Sequence, residues 1–265
     1  MDGQPPPEVI AAFGARGELV RLAGGFHGRA WRCGDVGLKP LDLPLESLDW
    51  HAALLERLDG RSDFRVAPLL RTEEGQLTDG GWIAWRFEPG RRPVREWSRV
   101  IEAGRRFHRA VADVPRPQFL DRRVDWWSTG DRVAFGELDP AGFAGVPLLD
   151  QILPRLTAAC EPSQLVHGDL TANVLVDDDL PPLVIDLSPY WRPCRFAEAV
   201  VVVDALTWEG AGPELVTAHP EIGEPNLLRA LVFRLVTHDL GSAGRFLPAD
   251  LERYCGALAA ITSVA

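Results

Sequence analysis

Lysine is almost missing from this 265-residue chain: of 28 basic side chains a single one, Lys39, is lysine and the rest are arginine. The scarcity excludes chemistry directly. A Walker-type phosphate loop needs Gly-Lys followed by Ser or Thr, whereas Lys39 lies in Val36-Gly37-Leu38-Lys39-Pro40, so no P-loop nucleotidase is encoded. Schiff-base or pyridoxal chemistry has one candidate amine. Where arginine replaces lysine at every site that needs only a positive charge, the surviving lysine is a candidate for a role that needs its amine.

Other shortages narrow the class. The four cysteines, at positions 33, 160, 194 and 255, show no C-x-x-C spacing, which argues against zinc and for a reduced, cytoplasmic setting. The longest apolar run, Ala199 to Val203 continuing past Asp204 to Trp208, is far short of the roughly 20 residues needed to span a bilayer. The first ten residues carry three prolines and two acids in place of a basic region and an apolar run, so no signal peptide is expected. A formal charge of −10 argues against nucleic acid or an anionic membrane as partner, because both need a positive footprint.

What is present reads as ordinary globular sequence, 46% hydrophobic and 25% charged, with ample core. The first third is β-rich. Extended candidates at Glu18–Leu22, Ala30–Cys33 and Val36–Leu38 are separated by glycines, and Leu45 to Leu58 reads as a helix with Pro44 at its start. Strands are expected again at Phe64–Leu70 and Trp82–Phe87. The segment Phe87-Glu88-Pro89-Gly90 then ends the period-two pattern, and Trp97 to Val111 has helical spacing. This predicts residues 1–88 as a nucleotide-binding lobe and 89–265 as a mainly helical catalytic lobe.

The densest signal is Leu165-Val166-His167-Gly168-Asp169-Leu170-Thr171-Ala172-Asn173-Val174-Leu175-Val176, followed by Leu183-Val184-Ile185-Asp186-Leu187-Ser188. Short strands ending in Asp169, Asn173 and Asp186 would bring two carboxylates and an amide oxygen to one end of a small sheet. Such hard oxygen donors suit Mg²⁺ and phosphates. Each alone reads more readily as a turn residue, and the case rests on their coincidence with Lys39. His167 reads as structural, its ring bonding backbone near the turn, and Asp204, inside an apolar helix, as a buried acid bracing that turn. Trp126-Trp127 and Tyr190-Trp191 either line an acceptor pocket or pack in the core.

With these motifs the chain resembles the aminoglycoside phosphotransferases, small-molecule kinases with a bilobal, protein-kinase-like α+β fold. The resemblance covers most of the chain: a glycine loop at Gly24-Gly25, the strand lysine Lys39, a hinge over Ile83 to Gly90, Phe107-His108 closing a helix, His167-Gly168-Asp169-Leu170, and Ile185-Asp186. The continuation Asp186-Leu187-Ser188-Pro189-Tyr190-Trp191-Arg192-Pro193 is similar to an actinobacterial branch of that family.

The resemblance implies an ATP- and Mg²⁺-dependent O-phosphotransferase acting on a hydroxyl of a small molecule, such as a metabolite, a sugar or an aminoglycoside-like compound. In it Gly24, Gly25 and Lys39 would hold phosphates, Phe87 and Glu88 would offer hinge backbone to adenine, Asp169 would act on the acceptor proton, and Asn173 and Asp186 would hold Mg²⁺.

Three departures stand against the family pattern. Asp169 and Asn173 are four positions apart where five is usual, Asp186 is followed by Leu-Ser, and His51 occupies the place of the helix glutamate that pairs with the lysine. Glu46 is the substitute partner, or only complements the helix N-terminus. The alternative function is a catalytically weak or inactive nucleotide-binding regulator of the same fold. The tight turn and absent glutamate favour it; the joint presence of Lys39, Asp169, Asn173 and Asp186 opposes it. The sequence after Asp186 has no Ala-Pro-Glu motif, which argues against a protein-substrate kinase.

Overall fold

The computed structural model describes residues 3–22, 29–158 and 161–263. The chain divides into two compact units, Met1–Arg92 with Leu175–Ile185, and Pro93–Val174 with Asp186–Ala265.

The first unit is built on an antiparallel sheet. Helix α1 (Pro7–Ala12) precedes β1 (Leu19–Arg21), β2 (Trp31–Cys33) and β3 (Val36–Pro40); α2 (Leu45–Leu58) follows, then β4 (Arg65–Val66) and β5 (Trp82–Arg86). The sheet order is β1-β2-β3-β5, with Lys39 opposite Ile83 and Gly37 opposite Trp85. Because side chains alternate along a strand, β3 sorts its residues onto two faces. Val36 and Leu38 join Val9, Phe13, Cys33 and Ala84 in one apolar cluster, while Ile83 packs with Leu48, Ala52 and Leu77 in another.

Gly37 is required by close packing. A Cβ there would lie 2.1 Å from the Trp85 ring, so any larger residue would displace the indole from the strand beside Lys39. The expected strand over Phe64–Leu70 is shorter, reduced to Arg65–Val66 with an isolated bridge from Leu69 to Trp85. Pro68, which has no N–H to donate, interrupts the ladder.

The second unit is mainly helical. It holds α3 (Trp97–Ala110), α4 (Trp126–Ala134), α5 (Leu149–Ile152) and β6 (Gln164–His167), then, after the chain has passed through β7 (Val174–Leu175) and β8 (Leu183–Val184), β9 (Pro189–Arg192), α6 (Cys194–Trp208), α7 (Glu214–Ala218), α8 (Glu224–Ser242) and α9 (Pro248–Thr262). β6 and β9 pair antiparallel. β7 and β8 complete a three-stranded sheet in the order β4-β8-β7, whose residues 175–185 belong to the first unit.

Helix α6 forms the centre of the second unit and packs on α3, α8 and α9. Phe196 to Ala205 is buried without a break, so the helix has no polar face. Four consecutive β-branched valines, 200–203, are poor intrinsic helix formers, and tertiary burial overrides that preference. Among the described residues no helix is long and apolar enough to cross a membrane.

Candidate active site

In the first unit, Lys39 Nζ lies 2.9 Å from Asp42 Oδ2, an acid three residues on that sequence reasoning missed. The Asp42 side chain is 45% exposed, so this pair contributes little to stability. Glu46 is exposed in the first turn of α2. His51 is buried, its Nδ1 2.7 Å from the Ser47 carbonyl one turn back. In the hinge segment, the Phe87 N–H donates to the Asp35 carbonyl and Arg32 sits 4.1 Å over the Phe87 ring. The Glu88 carboxylate accepts from Arg65 Nη1 and Arg86 Nε. Gly24 and Gly25 lie outside the described residues.

In the second unit, strand pairing gathers the chemistry. In the β6–β9 ribbon His167 is opposite Pro189, and the Gly168 N–H donates to the Ser188 carbonyl at 2.9 Å. Asp169 and Asp186 therefore leave the same end of that ribbon. Neighbouring strands β7 and β8 are joined by too few residues for a parallel crossover, so they run antiparallel. Asn173, just before β7, and Asp186, just after β8, consequently share one end as well. A Cβ on Gly168 would lie 2.3 Å from the Tyr190 ring, so only glycine admits the turn between His167 and Asp169.

The turn is held by its neighbours. The Asp169 N–H donates to His167 Nδ1 at 3.2 Å, and the His167 N–H donates to His108 Nε2 at 3.1 Å. His108 is fully buried, and burial, with the nearby His167, pulls its pKa down to about 3, so it serves as a neutral acceptor. Asn173 Nδ2 donates to the Asp169 carbonyl at 2.7 Å and reaches Asp169 Oδ2 at 3.3 Å. The four-residue spacing thus still closes the turn, with the amide nitrogen committed to it. Asp186 is exposed and adopts φ 47°, a left-handed conformation uncommon outside glycine.

Behind the turn lies an ionic cluster. Arg234, on α8, donates Nε to Asp204 Oδ1 at 2.7 Å and Nη2 to Asp204 Oδ2 at 2.5 Å. The same Nη2 donates to Asp169 Oδ1 at 2.8 Å, and Thr171 Oγ1 donates to Asp204 Oδ2 at 2.7 Å. Burial works against the Arg234 charge, but Asp204 and Asp169 outweigh it and raise its pKa further. Desolvation lifts the Asp204 carboxyl above its usual range, opposed by Arg234.

Arg234 was missed by sequence reasoning, although a signal existed. It interrupts the apolar run Leu231-Val232-Phe233-Arg234-Leu235-Val236, and a buried charge requires a partner. Of the paired aromatics, Tyr190 is core, Trp126 is 51% exposed, and Trp127 lies 5.4 Å from the Arg234 guanidinium.

No protein-family model and no curated protein sequence matches the chain. Solved structures do match over almost its whole length. The aminoglycoside phosphotransferase APH(4)-Ia, in a ternary complex with ADP and hygromycin B, aligns with a TM-score of 0.61 at 15% identity, covering 97% of this chain and 98% of its own. The amicoumacin kinase hAmiN, in complex with AMP-PNP, Ca²⁺ and Ami, gives 0.62 at 13% identity, covering 96% and 91%. A choline/ethanolamine kinase family protein from Mesorhizobium loti gives 0.60 at 16% identity, covering 94% and 89%. The chain has the fold of these small-molecule kinases.

Proposed function

We propose that this chain is an ATP- and Mg²⁺-dependent O-phosphotransferase that moves the γ-phosphoryl group to a hydroxyl of a small molecule. The observation that carries the reading is the Asp169–Asn173 turn. Its amide nitrogen is tied to the Asp169 main chain, which turns the amide oxygen, with the exposed Asp186 carboxylate at the shared strand ends, into a hard donor set. Those oxygens fit Mg²⁺. When bound, Mg²⁺ would neutralise phosphate charge, and Asn173 and Asp186 are the residues that would hold it.

The remaining roles belong to the chain itself. Lys39 supplies a compact ammonium to the ATP phosphates, a task that suits an amine better than a guanidinium. Main-chain groups of the Phe87–Glu88 segment would meet adenine. Asp169 accepts the proton of the acceptor hydroxyl as its oxygen bonds to the γ-phosphorus. The bond from that phosphorus to the bridging oxygen breaks, and its electron pair leaves with ADP. Positioning and charge neutralisation supply most of the catalysis in such a loose transition state. Solved structures with this fold include kinases in complex with hygromycin B and with Ami, and the acceptor proposed here is likewise a small molecule, one that bears a hydroxyl.

Calorimetry of ATP with Mg²⁺, followed by a screen of hydroxyl-bearing metabolites and aminoglycosides for ADP release, tests the assignment. Acceptor-dependent ADP release that disappears in Asp169→Ala supports it. Lys39→Arg binding and turning over like the parent would remove Lys39 from the site. The regulator reading draws on the Arg234 bond to Asp169 Oδ1, which occupies one carboxylate oxygen. Tight nucleotide binding with no turnover across the panel is the outcome that reading expects.

A further inference from the structure

We infer that Arg234 is a positioning residue for this reaction, an inference that rests on the phosphotransferase reading above. Its guanidinium fixes the orientation of the Asp169 carboxylate so that Oδ2 alone faces the acceptor. The guanidinium divides its hydrogens between two carboxylates. Asp204 takes Arg234 in a two-point, fork-to-carboxylate arrangement through Nε and Nη2, which sets the plane of the fork. Nη2 carries a second hydrogen, and that one is directed to Asp169 Oδ1 at 2.8 Å. The donor direction is thus decided by Asp204, not by Asp169.

Burial separates the three charges. The side chains of Arg234 and Asp204 are 10% and 8% exposed, whereas that of Asp169 is 42% exposed. Asp204 would by itself neutralise Arg234, and both its oxygens are satisfied, with Thr171 adding a further bond. The contact to Asp169 is therefore not needed to balance the buried charge. It ties an exposed carboxylate to a buried pair rooted in α6 and α8, helices of 15 and 19 residues. Asn173 Nδ2 sits near the other oxygen, Oδ2, at 3.3 Å, so rotation of the carboxylate is opposed on both sides. Lysine could not reproduce this arrangement, because a point charge has no plane to transmit.

The rival account is that Arg234 only neutralises Asp204. Paired removal separates the two accounts, because replacing a whole buried ion pair with apolar residues is often close to neutral for stability, whereas removing one member is not. Steady-state kinetics of Asp204→Leu/Arg234→Met should show kcat reduced by roughly 10²-fold, the cost of a reacting group misplaced by about 1 Å, with KM for ATP within about twofold of the parent. Thr171→Val, which keeps the ion pair, should retain most of kcat. Arg234→Lys should recover part of kcat at a melting temperature close to the parent's, and it carries the test should the paired variant fail to fold. A paired variant or an Arg234→Lys protein with parental kcat overturns the inference, as does Thr171→Val losing as much kcat as the pair. A parent protein that transfers phosphate to no acceptor overturns the phosphotransferase reading and this inference with it, whereas the preceding outcomes overturn this inference alone.

Discussion

The two charged groups on which the proposed chemistry depends are held in opposite ways. Lys39 lies on the inner strand β3 and meets an exposed acid three residues along the chain. Asp169 is exposed at its tip but tied to Arg234, which lies 65 residues downstream and is buried with Asp204. A phosphate-binding ammonium benefits from reach, since its ligand supplies the ordering. A base that must meet one proton in one direction benefits from a fixed mount. The contrast teaches that sequence proximity and mechanical rigidity are separate properties of a site.

The largest effect that breaks this comparison lies at Asp169. Asp169→Asn should lower kcat by roughly 10²–10⁴-fold, the usual contribution of a positioned proton acceptor, while calorimetry shows nucleotide affinity little changed. Next comes the mount. Arg234→Met leaves Asp204 buried without its partner and should cost about 3–5 kcal/mol in urea unfolding, because an uncompensated buried charge is severely destabilising.

A third prediction concerns the same turn and its pH dependence. His108 holds the His167 N–H as a neutral ring with a pKa near 3. Unfolded, it binds a proton near pH 6.5, so between those values the unfolded chain carries more protons and acid favours unfolding. As pH falls from 6.5 to 5, the parent should lose about 1.6 kcal/mol more stability than His108→Gln, which does not titrate, the slope rising toward about 1.4 kcal/mol per pH unit. Parallel stability curves for the two proteins would contradict this. The smallest effect is expected at the Lys39–Asp42 pair: Asp42→Ala should change stability by less than about 1 kcal/mol, because the acid is 45% exposed.

Local features of the fold were legible from the chain itself. Pro44 and the apolar spacing after it define α2 as Leu45–Leu58, and the extended run expected at Val36–Leu38 lies within β3, Val36–Pro40. These are short-range patterns, readable because they recur every two or four residues. The strand expected across Phe64–Leu70 failed at Pro68, where the missing donor outweighed β-propensity. Partners were the illegible part. Asp42 escaped notice because the family pattern directs attention to the helix, and Arg234 because its contact joins a helix to a turn 65 positions away, a spacing that no periodicity encodes. The tight Asp169–Asn173 spacing suggested an altered turn, yet the amide still reaches the Asp169 carbonyl, because four residues suffice for a single closed turn.

The central claim is phosphoryl transfer to a hydroxyl, and phosphorus NMR of ATP with Mg²⁺ and an acceptor mixture tests it most directly. The account predicts a new phosphate-monoester resonance growing in step with ADP, absent with Asp169→Asn. ADP accompanied only by inorganic phosphate, or an unchanged ATP spectrum across the acceptor panel, would contradict it.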